Sequence, residues 1–89
     1  MPTSLHDAIT RALIERLQPV ELELVDDSAS HAGHAGAREG SHFNVRVVSE
    51  KFAGLPRISR HRLVYDALRL LMAEGIHALA IDARTPDEA

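Results

Sequence analysis

Near its start the chain sets apolar residues at Leu5, Ala8, Ile9, Ala12, Leu13 and Leu17, the spacing of one helix face. Thr3 or Ser4 is positioned to cap this helix, and Asp7 suits the positive end of its dipole. Pro19 closes it, because the residue before a proline is pushed out of the right-handed helical region. The period then changes. Val20, Leu22 and Leu24 alternate with Glu21 and Glu23, and later Phe43, Val45 and Val47 alternate with Asn44 and Arg46. A period of two predicts strands with one buried face. Between them, Asp26 to Ser41 has no period and is rich in Ala, Gly and Ser. The strands are expected to pair as a hairpin with a long connection. Connections above about 12–15 residues without structure of their own are usually functional or disordered.

Glu50 to Arg57 reads as a short element, with Phe52 anchored in the core and Gly54 and Pro56 as breakers. A longer helix is predicted from Ser59, its candidate cap, to Glu74, turning Leu63, Ala67, Leu70 and Leu71 inward. Gly75 is expected to end it in a left-handed conformation. Ile76 to Ala83 predicts a third strand, and Thr85 to Ala89 a polar tail. The order αββααβ implies an α+β fold in one domain over residues 1–89, a three-stranded sheet with its helices packed on one face.

Composition narrows the chemistry. With 89 residues there is one core, and 45% hydrophobic against 3% aromatic residues builds it from Leu, Ile, Val and Ala. A net charge of −3 argues against wrapping nucleic acid by charge alone. There is no cysteine, so neither a disulfide nor a thiolate ligand or nucleophile comes from this chain. No apolar run has signal-peptide or membrane-spanning length, which predicts a cytoplasmic protein without a membrane partner. Against this background the stretch SHAGHAGAREGSHF, from Ser30 to Phe43, gathers His31, His34 and His42. An HxxH pair is a legitimate transition-metal donor set, but two ligands do not close a structural site. Solvated loop histidines are the plain alternative.

The run SHFNVRVVSEKFAGLPRISRHRLVYDAL, with GIHALAI and a terminal TPDE, resembles the BolA family, small αββααβ domains related to the class II KH fold. The joint occurrence of HF, VS..F.G, RHR.VY and HAL carries the likeness. The resemblance implies a heterocomplex with a monothiol glutaredoxin that shares a glutathione-dependent [2Fe–2S] cluster, for cluster assembly, trafficking or iron sensing. It implies metal ligands at His77 in GIHAL and in the loop between the first two strands. His31 follows DDSAS as the family's loop ligand follows a similar segment. HAGH lengthens the loop and keeps His34 as the alternative. His42, opening a strand, reads first as a structural histidine or as a support for a ligand, with direct ligation the lesser alternative. For His77 the plain alternative is a strand-end histidine beside Ile76 and Leu79. A chain without cysteine can ligate only through groups such as imidazole, which raises cluster potential and brings proton competition near neutral pH.

Arg57, Arg60, His61 and Arg62 gather at the start of the longer helix, where positive charge opposes the helix dipole. They are candidates for contact with an acidic partner surface, glutathione carboxylates or nucleic-acid phosphates; an ordinary solvated face is the alternative. KH-type binding needs a GxxG clamp between two helices, and AGLPRIS there lacks the second glycine. GHAG, from Gly33 to Gly36, has the spelling but lies between strands. A DNA-binding transcriptional regulator of stress or morphology, using the basic helix, is the second reading that the resemblance allows. An enzyme is not expected, since no nucleophile stands with a positioned base.

Overall fold

The computed structural model describes residues 4–27 and 41–89, excepting the side chains of Ser41 and His77. Helix α1 spans Leu5–Leu17 and is capped by Ser4, whose Oγ accepts from the Asp7 N–H at 3.1 Å. It buries Ile9, Leu13 and Leu17, as the periodicity predicts. Gln18 turns left-handed (φ 46°) ahead of Pro19 and donates its N–H to the Ile14 carbonyl. The chain then reverses into strand β1, Glu21–Asp26, which pairs antiparallel with β2, Ser41–Val48.

A 3-10 turn, Glu50–Phe52, seats Phe52 in the core, fully buried. Helix α2, Arg57–Ala67, and helix α3, Arg69–Glu74, carry the chain across to β3, Ile76–Arg84, which lies parallel to β2. The sheet order is β1-β2-β3. A parallel neighbour requires such a crossover, so the helices between the second and third strands follow from the topology. The core brings together α1, α2, inward residues Phe43, Val45 and Val47 of the central strand, Phe52, Leu68 and Ile76.

Four local expectations are corrected. The predicted longer helix is two helices, bent at Leu68 (φ −106°, ψ 11°). The bend lets Val64 and Leu68 both reach the core, while Leu70, expected inside, is 78% exposed. Ser59 is not the cap of α2. The chain is already extended at Pro56, whose carbonyl accepts from the Ser59 and Arg60 N–H groups, so the helix begins at Arg57. Gly75 is extended rather than left-handed (φ 164°), since α3 runs straight into β3. The expected polar tail forms a 3-10 turn, Pro86–Glu88, closed by a reciprocal capping box between Thr85 and Glu88.

One buried polar side chain ties three elements together. Ser49 Oγ donates to the Leu17 carbonyl at 2.6 Å and accepts from the Lys51 N–H, while its own N–H donates to the Arg84 carbonyl at 2.9 Å. It thereby joins the end of α1, the 3-10 turn and the end of β3.

Candidate functional site

His77 is the second residue of β3, and the ladder is irregular there. Ser41 pairs with Ile76 and His42 with Ala78, leaving residue 77 as an extra residue on its strand. Along β3, Leu79, Ile81 and Ala83 pack against the core, yet so does Ile76. The inserted residue accounts for this break in alternation. Bulges are uncommon in parallel pairs and recur beside functional sites, where they re-aim side chains.

The connection that carries His31 and His34 leaves β1 after Asp26 and re-enters at Ser41. Both points lie at the residue-77 end of the sheet, because Asp26 pairs with Phe43 and Ser41 with Ile76. His31 and His34 themselves lie outside the described residues. His42 is half-buried on the central strand, its carbonyl accepting from the Asp27 N–H at 2.7 Å and its Cα paired with Ala78, next to residue 77. Among the described residues, no three His, Asp or Glu side chains gather to hold a metal ion.

The structure adds a histidine that the sequence reading passes over. His6, in the first turn of α1, donates from Nε2 to the Leu24 carbonyl at 2.9 Å. A Cβ on Gly75 would lie 3.4 Å from the Leu5 side chain, so the start of α1 also adjoins the entry to β3. The turn at Gln18 to Val20 sends β1 back along α1, which is the signal that would have brought His6 to this end.

The basic cluster is divided by the fold. Arg60, with a side chain 14% exposed, is spent inside the molecule. Its Nε donates to the Leu55 carbonyl at 2.8 Å, one terminal nitrogen reaches the Ala83 carbonyl at 3.2 Å, and both terminal nitrogens grip the Glu88 carboxylate. That guanidinium, seconded by the Thr85 N–H, holds the Glu88 carboxyl at about 2, well below its ordinary value. Of the four expected contact residues, Arg60 is thus the one whose guanidinium already has partners within the chain. Arg57 is exposed and His61 half-buried, and both line an open groove with Arg60 and Arg84. Arg62 lies outside the groove, exposed on α2.

The BolA-like protein family matches residues 13–88 of the chain. SufE-like protein 1 of Arabidopsis thaliana, named chloroplastic/mitochondrial, is 46% identical over 86 residues, covering 90% of this chain and 23% of that protein. The solved BolA domain of that SufE1 superposes with a TM-score of 0.85 at 46% identity, covering 100% of both chains. Protein BOLA1 of the same plant, named chloroplastic, is 47% identical over 81 residues, 86% of this chain and 51% of that one. An uncharacterised protein of a Sinorhizobium species is 41% identical over 88 residues, covering 96% and 95% of the two chains. The chain thus spans about a quarter and about half of the two plant proteins and nearly all of the bacterial one.

Proposed function

The chain belongs to the BolA-like protein family, and on that footing we propose that it pairs with a monothiol glutaredoxin and co-ligates a glutathione-dependent [2Fe–2S] cluster. His77 and a loop histidine, His31 or else His34, are the ligands in this reading, and the role is cluster assembly, trafficking or iron sensing. The observation that supports it is topological: residue 77, at a bulge, and both ends of the histidine-bearing connection share one end of the sheet.

The donor set fits one side of such a cluster. Two neutral imidazoles from a chain without cysteine leave the remaining positions to sulfur from elsewhere, the glutaredoxin and glutathione thiolates and the cluster's own sulfides. Bound there, the cluster supplies a one-electron centre whose potential imidazole ligation raises above that of thiolate ligation. This chain's part is to hold two ring nitrogens unprotonated and aimed, so acid competes with binding. His42 adjoins residue 77 across the ladder and can orient a ligand by hydrogen bonding, as partners of ligating histidines commonly do.

The test is to titrate the metal-free protein into glutathione-bound, cluster-loaded glutaredoxin and follow visible circular dichroism. A new spectrum is expected, absent with His77→Ala, and a loss with His31→Ala but not His34→Ala assigns the loop ligand. A spectrum that stays that of the glutaredoxin homodimer, or a His77→Ala protein that behaves like the unmodified one, overturns the reading. The DNA-binding alternative is weakened by the internal use of Arg60, although Arg57 and Arg62 remain exposed. A cytoplasmic site of action belongs to the same proposal, set against the organelle names of the plant relatives. No described helix is long and apolar enough to cross a membrane.

A further inference from the structure

At the far end of β3 an open groove of about 720 Å³ runs between the start of α2 and residues 81–84. Its walls hold the Arg60 guanidinium in place through the Leu55 carbonyl on one side and the Ala83 carbonyl on the other. Neither contact involves the tail, so the fold itself builds a fixed, two-pronged donor. The group that meets it is Glu88, with one carboxylate oxygen on each terminal nitrogen. This paired geometry is how arginine recognises carboxylates in general.

The turn that brings Glu88 there has no buried residue, and the Glu88 side chain is 46% exposed. Two more basic groups, Arg57 and His61, line the same groove, and their side chains make no hydrogen bond or ion pair among the described residues. Arg84 completes the basic lining, its own charge shared with Asp82 at 2.9 Å. The groove therefore carries more positive charge than its internal carboxylates answer, and its one fixed fork is filled by a group on a short surface turn.

We propose that this groove is a recognition site for an acidic peptide segment of a partner protein, and that Glu88 occupies it as an internal stand-in which the partner's carboxylate displaces. Occupancy by the chain's own turn lowers the apparent affinity by the fraction of molecules in which the fork is open. The site lies roughly 23 Å along the strand from residue 77, and it stands or falls independently of the cluster reading.

The test uses the whole chain, isotopically labelled, titrated with a blocked peptide of sequence TPDEA, matching residues 85–89. The Glu88→Gln protein is expected to bind it at least about tenfold more tightly than the unmodified protein. Amide shifts should fall at Arg57, Arg60, His61 and residues 82–84. The peptide TPDQA should lose this binding, and Arg57→Ala added to Glu88→Gln should weaken it without affecting folding. Equal affinity for the two proteins, equal binding of TPDQA, or no shift at millimolar peptide overturns the proposal. So does a short DNA duplex that produces these shifts where the peptide does not, because the groove would then be a phosphate site.

Discussion

At the start of β3 the fold places histidine positions, whereas at its end it places guanidiniums, which donate hydrogen bonds and stay charged. His6, His42 and residue 77 belong to the first end, together with both anchor points of the histidine-bearing connection. Arg60 and Arg84 belong to the second, where Glu88 and Asp82 answer them. The difference lies in completion. At the guanidinium end the chain's own tail fills the Arg60 fork, while among the described residues the imidazole end gathers no closed set of metal ligands. A single nine-residue strand spans both, so each end can be perturbed while the other serves as its control.

The largest expected effect removes the distinction altogether. Phe52, fully buried beneath the sheet, supports one core shared by both ends. Phe52→Ala should cost about 3–5 kcal/mol, read from the denaturant midpoint, with amide protection lost together at residues 42–46 and 81–84. Protection that survives at one end would mean two separately stable units. A smaller change separates the ends. Ser49→Ala leaves the Leu17 carbonyl without its 2.6 Å donor and should cost about 1–3 kcal/mol. Its chemical-shift changes should concentrate around Leu17, Lys51 and Arg84, leaving His42 unmoved. Shifts that reach His42 would show that the ends are mechanically coupled.

The smallest effect is confined to the tail. Glu88 has its carboxyl lowered from 4.5 to about 2 by Arg60. A lowered acid stabilises the folded arrangement fully above its unfolded value, and that contribution is lost as pH falls through the folded one. The tail contact should therefore persist at pH 4.5 and release toward pH 2. The carboxyl carbon of Glu88, followed by NMR, should titrate near the lower value, and an ordinary midpoint would mean that the fork does not hold in solution.

Legibility from sequence followed the range of the interactions. The α1 face and the alternation of β1 and β2 were readable because each is a local period set by burial, and so was the identity of Phe52 as an anchor. The bend at Leu68 was not, since Leu63 to Leu71 offers apolar residues to more than one helical phase and only packing selects Val64 and Leu68. The tail read as polar because its organising contact, Glu88 to Arg60, spans 28 residues. His6 was missed for the same reason, its partner being 18 residues away. For the candidate ligands, sequence supplied His77 through a family likeness. The bulge that sets its strand position needed the ladder, and His31 and His34 lie outside the described residues.

The parallel pairing of β2 with β3 has a consequence for the chain as it is made. β2 is complete at Val48, but the neighbour that will make it the middle strand begins only at Ile76. Until β3 docks it is an edge with unmet N–H and C=O groups along one side, a template for pairing with other chains. A chain cut short before Gly75 would hold the loop imidazoles and an adhesive strand, without the strand that carries His77. The candidate ligand pair thus exists only on a finished chain.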